Sequence, residues 1–148
     1  MVKIIKRWQD FGPHLRSALR IVSAFMFMQA GTMKLFSFPI GMPPAAGPLH
    51  LLSELGIAGM LEAFGGGLLL LGLFTRPVAF ILSGEMAIAY FQVHFPHNFW
   101  TIINGGQPAV FYCFVWLYFS AAGPGPWSLD AVWNRIREKR KSSQMSPL

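Results

Sequence analysis

Two glutamates and a lysine stand within runs of this chain that otherwise hold apolar and small residues: Lys34, Glu62 and Glu85. An ionisable group in such surroundings is costly unless it is paired, protonated or turned to a cavity, so each marks a site by default. Glu62 has Ala58, Gly59, Gly65 and Gly66 one helical turn away on either side. Small residues let helices approach closely in lipid, which turns Glu62 to the interior of a bundle. It lies roughly 12 to 17 Å along its helix at ~1.5 Å per residue, near the midplane. Glu85 reaches a comparable depth in the next apolar run, with Ala89 and Gln92 continuing its face. Two carboxyl groups at one depth, with no cation obviously beside them, are not both ionised. Such a pair can bind a proton, hydrogen-bond a quinone oxygen or pass a proton to it. The plainer reading is a pair of neutral acids joining helices by hydrogen bonds.

Around these candidate catalytic residues lie four candidate ligand-binding ones, Lys34, Glu54, Gln92 and His94. Lys34 ends the first apolar run and Glu54 starts the second, so a Lys34–Glu54 ion pair is expected at the outer mouth, able to orient a polar headgroup. His94 and His97 flank Pro96, Phe99 and Trp100 follow, and His50 lies on the same side. These histidines have no compact ligand spacing, so no metal site is expected. Cys113 is the one cysteine, which excludes an internal disulfide or dithiol relay.

The elements that must position these groups are four apolar segments, about residues 17–36, 51–74, 77–95 and 108–122. Each is close to the ~20 residues with which a helix crosses ~30 Å of hydrocarbon. Hydrophobic residues make up 53% of the 148 and charged residues 12%, against roughly 25% charged in a soluble domain. A soluble bundle is disfavoured because runs such as 65–74 have no polar face for water. A net charge of +6 could suggest nucleic acid, but the positions of the charges argue otherwise. Lys3, Lys6, Arg7, Arg16 and Arg20 precede or open the first segment, Arg76 sits in the tight Thr75-Arg76-Pro77 turn, and Arg135, Arg137, Lys139, Arg140 and Lys141 follow the fourth. Connections 37–50 and 96–107 hold no Lys or Arg. Both termini are therefore expected in the cytoplasm and the two longer loops outside. Arg20 is expected to snorkel to the cytoplasmic interface, and Arg20 and Arg76 to be structural. A long basic leader, Lys34 and the lack of a small-x-small site read the first segment as retained, not a cleaved signal.

The fold expected is all-α: a basic cytoplasmic segment 1–16, a four-helix transmembrane bundle 17–122, and a basic cytoplasmic tail 123–148. Gly123-Pro124-Gly125-Pro126 ends the fourth helix, and Ser128 is placed to cap a new one, with Asp130 in its first turn. Leu129, Val132, Trp133 and Ile136 share one face of that helix, ringed by Arg135, Arg137 and Lys139, the pattern of an interfacial amphipathic helix. Trp127 is expected to staple onto Val132.

Taken in order, several elements carry a resemblance: Arg20 and Phe25-x-x-x-x-Ala30-Gly31-x-x-Lys34-Leu35 in the first helix; Glu62-x-x-Gly65-Gly66-Gly67 running to Gly72-Leu73-Phe74-Thr75-Arg76-Pro77 in the second; Met86-Ala87-x-Ala89; Asn104-Gly105-Gly106; and Gly123-Pro124-Gly125-Pro126-Trp127-Ser128-Leu129-Asp130. Over roughly residues 14–133 the chain resembles the DoxX family of small four-helix bacterial membrane proteins. That family takes its name from a subunit associated with a terminal quinol oxidase. Related members are linked to thiosulfate:quinone oxidoreduction, and others resemble membrane parts of oxidative-stress or thiol-handling complexes. The resemblance carries over Arg20, Lys34, Glu62 and Arg76, while Gln107 stands where many relatives have a glutamate. It implies a quinone-interacting accessory subunit of a redox complex in the bacterial cytoplasmic (inner) membrane. Such a subunit has no intrinsic cofactor: its ligand is a membrane quinone, and its partners are the lipid bilayer and membrane or redox proteins. The other readings are a non-catalytic scaffold or assembly protein and a small-molecule transporter.

Overall fold

The computed structural model describes residues 2–41 and 50–144, and these residues form helices with no strand. α1 is Val2–Phe36. α2 is Glu54–Leu71, of which the turn Leu61–Gly65 is π-helical. α3, Thr75–Ala89, continues into a second π turn, Tyr90–His94. A short α4, Thr101–Asn104, precedes α5, Gln107–Ala122, and the tail forms α6, Leu129–Gln144. Among the described residues one helix, Glu54–Leu71, is long and apolar enough to cross a membrane by length and composition, with 18 residues of mean hydropathy 1.5.

Local chemistry sets these boundaries. α2 starts at Glu54 because the Ser53 hydroxyl accepts a hydrogen bond from the Gly56 amide, 3.2 Å away. It stops at Leu71 because Gly72 turns left-handed, φ 68°. α1 runs on through Pro13 into the basic leader, so residues expected to form a separate segment are the start of the same helix.

α1 lies along α2, and α3 lies along α5. The two pairs join where Phe27 meets Trp116 edge-on, ring centres 5.3 Å apart, and Tyr112 at 5.0 Å. They join again where Gly65 leaves room for Leu82, whose methyl groups would lie 2.9 and 3.1 Å from an added Cβ. The distribution of polarity is the reverse of that in a water-soluble bundle. Phe64, Phe80, Ile88, Phe91, Phe111 and Phe114 are exposed, while Arg20, Glu62, Thr75 and Ser83 are buried. Hydrocarbon, not water, is the solvent that such a surface suits.

At one end of the bundle the helix termini are tied together by charged side chains. Arg20 is fully buried and does not snorkel, which corrects the sequence expectation. Its guanidinium donates to the carbonyls of Leu69 and Leu70 at the end of α2, and to those of Pro124 and Trp127 in the loop before α6. The last carbonyls of a helix have no partner inside it. A planar cation with five N–H groups satisfies several at once and meets the negative end of the helix dipole. Arg76 does the same for α5, donating to the carbonyls of Ser120 and Ala121, and Arg16 donates to that of Ala122 at 2.8 Å. Ser128 caps α6 by accepting from the Ala131 amide at 3.1 Å. Trp127, which precedes this cap, packs against His14, ring centres 5.4 Å apart.

Candidate functional site

The site is built where α1 and α2 come closest. A Cβ on Gly31 would lie 2.2 Å from the Ala63 amide nitrogen and 2.8 Å from the Glu62 carbonyl carbon, so only glycine permits this approach. One turn along α1 from Gly31 is Lys34, whose stem runs past Gly59, where an added Cβ would lie 3.1 Å from the Lys34 Cβ. The facing stretch of α2 is its π turn, an insertion that frequently marks functional positions. Glu62, in that turn, is 4% exposed.

Lys34 pairs with Glu62. Its ammonium stands 2.6 Å from Glu62 Oε1 and 2.5 Å from Oε2, the one ion pair among the described residues. The expected Lys34–Glu54 pair is not formed. Glu54 is exposed at the first position of α2, where solvent and the positive end of the helix dipole already accommodate a carboxylate. Glu62, enclosed by helices, has no such alternative, and breaking a buried pair is far more costly than leaving a surface one unmade.

Glu85 of α3 completes the cluster. Its helix packs against the π turn that carries Glu62, and both of its carboxyl oxygens are buried without a hydrogen-bond partner among the described residues. A buried acceptor left unpaired costs about 1–3 kcal/mol, so this group is available to a proton or a donor ligand. The structure therefore gathers Lys34, Glu62 and Glu85, and leaves Glu54, Gln92 and His94 apart from them. Gln92 was expected to continue the Glu85 face. The π turn that starts at Tyr90 inserts a residue into the helical register and Gln92 ends up exposed. His94 turns to the α3–α4 corner, where Nδ1 lies 3.0 Å from the Asn104 carbonyl and the ring stacks on Tyr90. An apolar groove along α5, lined by Leu19, Phe111, Phe114 and Tyr118, does not include the cluster.

Sequence reasoning missed the roles of three residues. Gly31 and Gly59 were visible as small residues, but nothing in the chain alone says that they flank the lysine. Asp130 was assigned to the first turn of its own helix, yet its carboxylate crosses to the start of α3, accepting from the Phe74 and Thr75 amides at 2.9 Å each.

The DoxX family model matches residues 15–95, from α1 to the end of the second π turn, a stretch that contains Arg20, Lys34, Glu62, Arg76 and Glu85. The chain belongs to the DoxX family. This DoxX protein is also 44% identical over 129 residues to a Haemophilus influenzae protein described as uncharacterized, an alignment covering 82% of this chain and 92% of that one. No solved structure matches it. The family match ends before α5, so in this DoxX protein the loop that binds Arg20 and the aspartate that caps α3 come from outside the matched stretch.

Proposed function

We propose that this DoxX protein is a quinone-interacting accessory subunit of a redox complex in the bacterial cytoplasmic membrane, with Lys34, Glu62 and Glu85 as its polar centre. α1, α2, α3 and α5 cross the bilayer, and both termini face the cytoplasm. The apolar exterior and the gathering of basic residues at one end of the bundle support that topology.

The observation that carries the reading is the unpartnered Glu85 carboxyl beside the Lys34–Glu62 pair. One lysine offsets one carboxylate. The second carboxyl in the same low-dielectric space holds a proton, which it donates to a quinone oxygen as electrons reach the ring from a partner protein. The Lys34 ammonium, held by the Glu62 carboxylate, then passes a proton to the Glu85 carboxylate and is itself reprotonated from water. This chain supplies proton handling and orientation; the electrons come from elsewhere.

The test is gentle purification from the native membrane followed by mass spectrometry for quinone and partner proteins together. Near-stoichiometric quinone that is lost in Glu85→Gln, with partners retained, is the expected outcome. Glutamine keeps the shape of a neutral acid, so Glu85→Gln should assemble normally and lose quinone-linked turnover by about 100-fold or more, the usual worth of a general acid. Partners with no quinone, or full turnover in Glu85→Gln, would replace this reading with a scaffold role.

A further inference from the structure

α6 leaves the bundle at the end where Arg16, Arg20 and Arg76 cap the other helices, and one face of it is left exposed. Leu129, Val132, Trp133 and Ile136 are 45%, 49%, 64% and 50% exposed. At ~100° per residue these four fall within a single stripe. Arg135 and Lys139 border it on one side and Arg137 on the other, Arg140 closes it one turn beyond Ile136, and Glu138 falls on the opposite face. The remaining acid, Asp130, is already engaged by the Phe74 and Thr75 amides. The exposed face is thus apolar with cationic edges and carries no free carboxylate.

The helix is also held in place. Asp130 grips the start of α3, the Asp130 amide donates to the Gly72 carbonyl at 2.9 Å, and Arg20 holds the Trp127 carbonyl. These bonds fasten the first turn of α6, where the stripe begins, to the bundle.

We infer that α6 binds an anionic phospholipid surface, its apolar stripe in the interface and Arg135, Arg137 and Lys139 on the headgroup phosphates. Charge complementarity chooses this occupant: an apolar face bordered by cations is matched by a negatively charged leaflet, and α6 is continuous with a bundle that already belongs to the membrane. The site is independent of the Lys34–Glu62–Glu85 cluster and of any reaction there.

The test places an environment-sensitive fluorophore on Val132→Cys, and separately on Glu138→Cys, in full-length protein with Cys113→Ala. Both are read in nanodiscs of phosphatidylcholine with or without phosphatidylglycerol. The Val132 probe should move to shorter wavelength with phosphatidylglycerol, revert in high salt, and stay in water when Arg135, Arg137 and Lys139 are all replaced by glutamine. Each basic residue removed should weaken the lipid-bound state about fivefold. The Glu138 probe should stay in water throughout. A Val132 probe equally shielded with and without phosphatidylglycerol would overturn the inference, as would one that stays in water in both. Shielding that requires two copies per disc would overturn it as well, because a second chain would then be covering the face.

Discussion

The carboxylate of Asp130 spans the turn between α2 and α3, one oxygen 2.9 Å from the Phe74 amide and the other 2.9 Å from the Thr75 amide. A residue near the C-terminus therefore supplies the cap that α3 lacks locally, since Phe74 is left-handed at φ 49° and makes no side-chain cap of its own. The same turn is where Gly72 receives the Asp130 amide, so the tail and the turn hold each other. Asp130→Ala should cost about 1 kcal/mol, the usual worth of a helix cap. Asp130→Asn, which keeps one acceptor, should cost less. Unfolding in detergent, followed by helical signal, measures both.

Arg20 carries the heavier load at this end. Replacing it with methionine leaves the carbonyls of Leu69, Leu70, Pro124 and Trp127 without the donor they share. Hydrogen bonds from a charged group are worth about 1.5–3 kcal/mol each, so Arg20→Met should cost several kcal/mol and depress folded yield sharply. Arg20→Lys should rescue only part of this, because an ammonium cannot reproduce the planar fork. Equal stability of the lysine variant and the parent would show that charge alone suffices.

Lys34 and Glu62 should behave as a unit. Lys34→Met strands a buried carboxylate, costing about 3–5 kcal/mol, and Glu62→Gln strands a partly buried ammonium, costing less. The double variant removes both charges and should recover most of that loss. A double-mutant cycle on thermal stability reads the coupling directly, and additive single effects would mean that the pair contributes nothing.

Gly31→Ala adds one carbon where α1 and α2 have no room for it, 2.2 Å from the Ala63 nitrogen. Overpacking of this kind costs about 1–3 kcal/mol, and backbone on the far side leaves little to yield. The expected result is a splayed α1–α2 contact with weaker Lys34–Glu62 coupling in the cycle above. Gly84→Ala is the matched control: nothing lies within 4 Å of its added carbon, and stability should hold or rise slightly.

Much of this molecule is legible one residue at a time. Composition and uninterrupted apolar runs determine that it is helical and that its solvent is a membrane, because those properties depend on how many polar groups a segment carries and not on what it touches. Chain punctuation placed the Ser128 cap, which acts within a few residues, but the tight turn expected at Thr75-Arg76-Pro77 lies at Gly72–Phe74, and those three residues are the first turn of α3. The ordered motifs from Arg20 to Asp130 pointed to the family. The partner of each charge was decided by tertiary structure alone. Depth along a helix suggested Glu54 for Lys34, but the glycine-permitted approach at Gly31 and the π turn at Leu61–Gly65 brought Glu62 to the ammonium instead. Arg20 looked free to reach the surface until the end of α2 and the Gly-Pro loop closed around it. Gln92 lost its place beside Glu85 to one inserted residue in a π turn. Pairings of this kind depend on the stagger and rotation of one helix against another. Those are set by contacts far apart in the chain, and a single sequence does not display them.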